Sequence, residues 1–197
     1  ACEDFPLKVP RSFVRRMRPG DPRDPLLLQV LSSKQEMADT AGYSRDPVGE
    51  SGDTNPRRGI IHKYHGRVLL IVSGGCAVNC RYCFRRHFPY NENQNSRRQW
   101  HDALDYIRAD SSIEEVILSG GDPLVATDEQ LQQLIEQIAA IAHVKRLRIH
   151  SRLPVVIPER VTDSLLDAIT HTDLLTIMVI HCNHASEIDE SVAVALA

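Results

Sequence analysis

The chain has 197 residues, of which 42% are hydrophobic and 25% charged, and its formal net charge is −3. This composition is typical of a globular protein, and the small negative charge gives no reason to expect a nucleic-acid partner. The sequence shows no secretory signal and no apolar stretch long enough to span a membrane, so we expect a cytoplasmic protein without a membrane partner. Of the five cysteines, Cys2 and Cys182 are expected to be ordinary small residues.

The first 61 residues are predicted to form an extension of short helices and loops. Prolines and glycines interrupt this segment repeatedly, as at Pro19-Gly20, Asp46-Pro47 and Asn55-Pro56. Residues 62–197 instead alternate apolar strands with amphipathic helices, which predicts parallel βαβ units. The sequence therefore predicts two regions, with a boundary at residue 61.

Four β/α units are predicted in the second region, with strands at residues 68–72, 115–118, 146–149 and 174–180. A capping box, Thr127-x-x-Gln130, predicts the start of one helix, and a last helix is predicted to begin near Ser186. Two helices are predicted from apolar residues that share one face: Trp100, Leu104 and Ile107 in the first, and Leu131, Leu134, Ile135 and Ile138 in the second. A third helix is predicted after Thr162, with Leu165, Leu166 and Ile169.

This pattern favours an α/β fold, specifically a partial TIM-type (β/α) barrel. We expect the chain to be truncated at both ends, because it lacks an initiator methionine and stops within an amphipathic pattern.

The run Cys76-Ala-Val-Asn-Cys80-Arg-Tyr-Cys83 places three thiols on one short loop after the first predicted strand. Iron–sulfur clusters are held by cysteine thiolates, and three protein ligands leave one position open for a small molecule. Structural zinc is an alternative, with His87 as a fourth ligand, although zinc sites usually combine two separated pairs. A zinc-stabilised interaction module without enzymatic activity is therefore a second hypothesis.

Polar residues follow the other predicted strands, where reactive groups gather in α/β barrels. In Ser119-Gly120-Gly121-Asp122 the glycines permit close backbone approach, and a tight turn with an aspartate cap is the structural alternative. His150-Ser151-Arg152 offers an arginine suited to a carboxylate or to a salt bridge. In His181-Cys182-Asn183-His184 the histidines favour hydrogen bonding or helix capping over metal binding.

The cysteine run, with Tyr82 before its last member, resembles the signature of radical S-adenosylmethionine enzymes. In that family three cysteines bind a 4Fe-4S cluster whose fourth iron chelates S-adenosylmethionine. The resemblance implies that Cys76, Cys80 and Cys83 bind the cluster. It further implies that S-adenosylmethionine is bound by Tyr82, Ser119, Gly120, Gly121, Asp122, Ser151, Arg152 and His181.

Five segments together resemble the lysine 2,3-aminomutase family: residues 62–68, 83–88, 119–124, 151–156 and 181–184. Residues 74–90 resemble in particular the branch that makes (R)-β-lysine for elongation factor P. By this resemblance the protein converts L-lysine to (R)-β-lysine by 1,2-amino migration on a pyridoxal phosphate aldimine. An external electron donor and a functional link to elongation factor P, without implied direct binding, follow from it as well.

The same resemblance implies that Tyr64 and Arg67 bind pyridoxal phosphate and that Arg85 binds the substrate carboxylate. Solvated charges at a helix entry are the alternative for Arg85 and Arg86. The family's aldimine-forming lysine lies near the C-terminus, and Lys145, the last lysine here, precedes the third strand, so the role is not assigned to it. We therefore expect the 197 residues alone not to turn over lysine. Glutamate 2,3-aminomutation is a further enzymatic hypothesis.

Overall fold

The computed structural model describes residues 5–38, 40–50, 52–93 and 100–197, so Cys2 lies outside the described residues. The strands are Ile60–Tyr64 (β1), Arg67–Ser73 (β2), Glu115–Gly120 (β3), Arg146–Ser151 (β4) and Leu175–Ile180 (β5). They form a five-stranded sheet in the order β1-β2-β3-β4-β5. β1 is antiparallel to β2, and the other neighbouring strands are parallel.

The α-helices are Arg11–Val14 (α1), Tyr90–Asn93 (α2), Trp100–Ala109 (α3), Asp128–Ala139 (α4), Leu153–Val156 (α5), Asp163–Thr170 (α6) and Glu190–Leu196 (α7). Short 3-10 helices lie at Leu27–Gln29, Lys34–Met37, Gly52–Thr54, Pro123–Val125, Pro158–Arg160 and Ala185–Glu187. None of the described helices is both long and apolar enough to cross a membrane.

Strands β2 to β5 confirm the four predicted strands and the α/β class. The parallel strands alternate with helices, as in part of a TIM-type barrel, and the barrel is not closed within these residues. Strand β1 was not predicted. Because only Ile60 and Ile61 in it are buried and its other three residues are more exposed, it lacks the apolar pattern of a core strand.

The β1–β2 hairpin turns through His65 and Gly66, and Gly66 has a φ of 79°. Two-residue hairpin loops require positive φ, which glycine adopts without a steric cost. The Gly66 carbonyl accepts hydrogen bonds from the amides of Glu114 and Glu115, at 2.9 and 3.1 Å. The hairpin is thereby tied to the start of β3. β1 begins at Ile60, so the predicted boundary at residue 61 lies within the hairpin. The division of the chain into two regions stays a prediction.

The main core lies where helices α3, α4 and α6 pack against the sheet. The predicted capping box is confirmed, because Thr127 Oγ1 accepts from the Gln130 amide at 3.3 Å and Gln130 Oε1 accepts from the Thr127 amide at 3.1 Å. The third predicted helix is confirmed as α6, in which Leu165 and Ile169 are buried and Leu166 is 43% exposed. The last helix begins at Glu190, after an Asp189 cap, and not near Ser186.

A second apolar cluster joins the N-terminal extension to the rest of the chain. Its buried members are Phe13, Leu26, Val30, Val78 and Val156. The first three belong to the extension, Val78 lies between the cysteines and Val156 ends α5. The extension therefore packs directly against the segment that carries the three thiols.

Candidate functional site

The cysteine loop, residues 74–83, follows β2 at the carboxyl edge of the parallel strands. Backbone atoms of the extension hold it in place: the Asn79 amide donates to the Lys8 carbonyl at 2.9 Å, and the Arg81 amide donates to the Gln29 carbonyl at 2.8 Å. The Asn79 side chain also donates to the Pro6 carbonyl at 2.9 Å. The loop is therefore fixed by residues 52 to 73 positions away in sequence.

The thiols of Cys76, Cys80 and Cys83 are free and half-buried on this loop. Burial, followed by the nearby Asp122 and the other two cysteines, raises the pKa of Cys76 to about 12. The Cys80 Sγ accepts a hydrogen bond from Arg152 Nη1 at 2.9 Å. Among the described residues no group of three or more His, Cys, Asp or Glu side chains is already arranged to hold a metal ion. Such a group would hold a single ion, whereas the cysteines of an iron–sulfur cluster each ligate a different iron.

The glycine pair after β3 confirms the predicted close backbone approach. Gly120 has a φ of 113°, and a Cβ atom at Gly121 would lie 2.2 Å from the Gly75 carbonyl oxygen. The Gly121 amide donates to the Ser73 carbonyl at 2.7 Å, and the Asp122 amide donates to the Gly75 carbonyl at 2.9 Å. The turn after β3 is therefore packed backbone to backbone against the start of the cysteine loop.

The Asp122 carboxylate joins the ends of β3 and β4. It is 5% exposed, and it accepts from the Leu124, Arg152 and Leu153 amides at 3.1, 2.8 and 3.2 Å and from Ser151 Oγ at 2.7 Å. Burial raises its pKa, although these hydrogen bonds act in the opposite direction. The aspartate cap is confirmed, and contacts of Asp122 and Ser151 with S-adenosylmethionine stay predictions.

Arg152 is 4% exposed and lies at the centre of a buried polar network. Its Nη1 also donates to the Tyr82 hydroxyl at 2.7 Å, and its Nη2 donates to Gln29 Oε1 at 2.5 Å and to Glu187 Oε2 at 3.2 Å. Glu187 is fully buried and accepts from Gln29 Nε2 at 2.9 Å. The sequence analysis missed Gln29 and Glu187 as members of the site, because they lie 158 positions apart and no local pattern links them.

The residues after β5 approach the same network. The rings of His181 and Tyr82 lie edge to face with their centroids 5.8 Å apart, and Asn183 Nδ2 donates to the Tyr82 hydroxyl. His184 Nδ1 accepts from the Ser186 amide at 3.0 Å, which confirms the predicted helix capping. The structure thus brings Tyr82, Arg152 and His181 together beside the cysteine loop.

Arg85 lies two residues after the loop and is 8% exposed. It donates to both carboxylate oxygens of Glu50, through Nε at 2.6 Å and Nη2 at 2.7 Å, and through Nη1 to Ser119 Oγ at 3.2 Å. Arg86 forms an ion pair with Glu36 at 2.8 Å. The alternative of solvated charges is therefore wrong for both arginines.

Tyr64 and Arg67 lie at the opposite end of β2 from the cysteine loop, with the Arg67 guanidinium 4.8 Å from the Tyr64 ring centroid. Arg67 is the register partner of Glu115, and Ser119 follows four residues later in β3. Because side chains alternate along a strand, Arg67 and Ser119 share a face of the sheet and lie about 13 Å apart. The structure does not bring Tyr64 and Arg67 to the cysteines, but it places Arg67 on the face that Arg85 contacts.

Glu36 of the extension pairs with one arginine before Cys83 and one after it in the sequence. It forms ion pairs with Arg81 at 2.5 Å and with Arg86 at 2.8 Å, and it accepts from the Ser33 amide at 2.8 Å. Burial raises the pKa of Glu36, but these partners outweigh it and bring the pKa below its usual value of 4.5. The ionised carboxylate therefore stabilises the fold fully above pH 4.5, and this contribution is lost as the pH falls through the lower folded-state pKa.

We expect the Glu36→Gln variant to lose about 1–2 kcal/mol of unfolding free energy at pH 7, since a charge-assisted contact is removed. The loss should shrink as the pH falls below 4.5, because wild type then loses the same contribution. Urea denaturation at pH 7, 5 and 3.5 measures both effects. Glu114→Gln, at an exposed carboxylate, is the control. If the unfolding free energies of wild type and Glu36→Gln depended equally on pH, the stabilising role of the ionised Glu36 carboxylate would be contradicted.

Comparison with known proteins gives a consistent result. Residues 70–188 match the Radical SAM superfamily. The chain is 54% identical over 193 residues to the L-lysine 2,3-aminomutase of Escherichia coli (strain K12) and 52% identical over 192 residues to that of Haemophilus influenzae, covering 98% of this chain and 56% of each relative. It is 37% identical over 179 residues to the L-lysine 2,3-aminomutase of Clostridium subterminale, covering 90% of this chain and 42% of that protein.

The chain thus spans between 42% and 56% of the length of these relatives. The family match covers residues from the middle of β2 to the end of the network around Glu187, which includes the cysteine loop and the Gly120-Gly121 turn. The chain therefore belongs to the radical SAM superfamily, and over nearly its whole length it is similar to L-lysine 2,3-aminomutases.

Proposed function

We propose that the full-length protein is a radical S-adenosylmethionine isomerase that converts L-lysine to (R)-β-lysine by moving the amino group from C2 to C3. The observation that carries this proposal is the three-cysteine loop, packed against the Gly120-Gly121 turn, in a chain that is 54% identical to an L-lysine 2,3-aminomutase. Glutamate 2,3-aminomutation has no comparable support.

The donor set fits a 4Fe-4S cluster. Cys76, Cys80 and Cys83 are soft ligands within eight positions of one loop. Arg152 Nη1 donates a hydrogen bond to the Cys80 sulfur at 2.9 Å, so a buried positive charge lies beside this candidate ligand. A bound cluster and S-adenosylmethionine supply radical chemistry, and pyridoxal phosphate supplies an electron-accepting ring.

The remaining residues bind and orient. We assign S-adenosylmethionine to the backbone edge and side chains that surround the cysteine loop: Tyr82, Ser119, Gly120, Gly121, Asp122, Ser151, Arg152 and His181. Arg85, beside the end of β3, is assigned to the substrate carboxylate, which an arginine fork suits. Tyr64 and Arg67 are assigned to pyridoxal phosphate, on the same sheet face. Holding the amino acid between these groups orients C3 toward the radical source, and orientation dominates such transfers.

The proposal extends to the protein's place in the cell. The cluster would need one electron from an external donor in each activation. We therefore propose that the protein is cytoplasmic and has a reducing partner there. We further propose that the product serves the modification of elongation factor P. Because the substrate is free lysine, this link requires no direct contact between the two proteins.

Product analysis tests the proposal. The full-length protein is reconstituted anaerobically with iron and sulfide and incubated with L-lysine, pyridoxal phosphate, S-adenosylmethionine and dithionite. We expect (R)-β-lysine, identified by chiral chromatography, and none when S-adenosylmethionine is omitted. A parallel incubation with L-glutamate is expected to give no β-glutamate. Formation of β-glutamate, or absence of β-lysine from protein that carries its full complement of iron, would contradict the assigned substrate.

A further inference from the structure

We infer that Glu50 is a positioning residue that sets the direction in which Arg85 meets the substrate carboxylate. The inference rests on the proposed function, because that proposal assigns the carboxylate to Arg85. Glu50 belongs to the N-terminal extension, 35 positions before Arg85, and no sequence motif links the two residues.

The Glu50–Arg85 pair is a buried, bidentate ion pair. Two parallel hydrogen bonds of 2.6 and 2.7 Å join the guanidinium to the carboxylate, and the two side chains are 9% and 12% exposed. Bidentate pairs of this kind fix the plane of the guanidinium as well as its position. The backbone of Glu50 is held in turn, because its amide donates to Asp46 Oδ1 at 2.9 Å.

This pairing leaves one nitrogen of the fork for other partners. Nη1 points to the carboxyl end of β3, where it lies 3.2 Å from Ser119 Oγ and 3.5 Å from the Gly120 carbonyl oxygen. A substrate carboxylate on this side is met by Nη1, since Nε and Nη2 are engaged by Glu50. Glu50 thereby directs Nη1 of Arg85 toward the turn that packs on the cysteine loop, where a substrate carboxylate would replace Ser119 Oγ and the Gly120 carbonyl as its partner.

Two effects of removing the Glu50 charge oppose one another. An unpaired Arg85 has a stronger attraction for an anion, which alone would lower the KM for lysine. An unpaired Arg85 is also free to turn toward other acceptors. A displacement of 1 Å in such a site can lower the reaction rate up to about 100-fold. Because the pair is buried and bidentate, we expect the loss of orientation to dominate.

Steady-state kinetics of the Glu50→Gln variant of the full-length enzyme tests the inference. We expect kcat for lysine to fall about tenfold, because C3 is no longer held toward the radical source, and the KM to rise as the carboxylate contact is weakened. Glu50→Asp, which keeps the charge, should recover part of the loss. Asp128→Asn is the control, because Asp128 forms a half-buried ion pair with Arg160 at 2.6 Å on the helix side of the sheet.

A second measurement needs no turnover. Phenylglyoxal modification of Arg85, followed by peptide mass spectrometry, should be slow in wild type and in Asp128→Asn and about fivefold faster in Glu50→Gln, because the paired guanidinium is protected. A kcat equal to that of wild type in the Glu50→Gln enzyme would overturn the inference, as would unchanged protection of Arg85. If wild type does not turn over lysine, the proposed function fails by itself, and the modification rate alone then decides whether Glu50 holds Arg85.

Discussion

Replacing any one of Cys76, Cys80 and Cys83 with alanine is expected to remove most of the bound iron and to lower β-lysine formation by more than about 100-fold. Loss of residues that merely support a metal ligand costs 10- to 100-fold, so loss of a ligand itself should cost more. All three thiols lie on one loop between β2 and α2, and each would supply a separate corner of the cluster. Iron and sulfide analysis of anaerobically reconstituted variants measures the first effect.

The matched control is Cys182→Ala, which removes an exposed thiol after β5. It should keep the iron content of wild type, so that a fall specific to the other three variants reports ligation and not cysteine loss in general. Wild-type iron content in any of the variants Cys76→Ala, Cys80→Ala and Cys83→Ala would show that the altered residue is not a cluster ligand.

The Gly121→Ala substitution is expected to lower the unfolding free energy by about 3 kcal/mol or more, at the upper end of the usual cost of overpacking. The added Cβ would lie 2.2 Å from the Gly75 carbonyl oxygen and 2.6 Å from its carbonyl carbon, and the atoms it meets are backbone atoms that no side-chain rotation can clear. Either the turn after β3 or the start of the cysteine loop has to move. We therefore expect reduced iron uptake together with a lower urea midpoint.

Gly75→Ala is the control for this prediction, because it adds the same atom on the other side of the contact, in the cysteine loop. A Cβ at Gly75 meets only Ser73 Oγ, at 3.9 Å, which is ordinary van der Waals contact. Its unfolding free energy should lie within about 1 kcal/mol of that of wild type. Equal stability of Gly121→Ala and wild type would contradict the close packing of the turn against the loop.

The parallel strands and their helices could be predicted because their signals are local. Leu131, Leu134, Ile135 and Ile138 recur with helical spacing and are all buried in α4, and the capping box before them forms as its residues predict. The close backbone approach at Gly120 and Gly121 could likewise be predicted, because it depends on these residues having no side chain. By contrast, β1 is stabilised mainly by its pairing with β2 and has no strong apolar alternation, so its residues gave no strand signal.

The partners of the predicted site residues could not be found in this way. The sequence analysis singled out Arg85 and Arg152, but the carboxylates that hold them are Glu50 and Glu187, and Gln29 lies 123 positions from Arg152. Such contacts depend on how the extension folds over the carboxyl edge of the sheet, which no spacing rule specifies. The sequence therefore indicates which side chains carry the chemistry, while the structure shows what orients them.

The extension thus has a structural role in the site. Its Gln29 contacts both the loop backbone and the Arg152 network, its Glu36 spans Arg81 and Arg86, and its Glu50 holds Arg85. Each contact joins the extension to a residue within three positions of a cysteine or to the end of a strand. A substitution in the extension should therefore affect cluster binding and substrate orientation rather than overall folding alone.

The most direct test of the central claim, that three cysteines hold a 4Fe-4S cluster with one iron open to S-adenosylmethionine, is electron paramagnetic resonance of the reduced, anaerobically reconstituted protein. We predict about four irons per chain, a signal of a reduced 4Fe-4S cluster, and a change in that signal when S-adenosylmethionine is added. A stoichiometric zinc ion in place of iron, or a cluster signal that S-adenosylmethionine leaves unaltered, would contradict the claim.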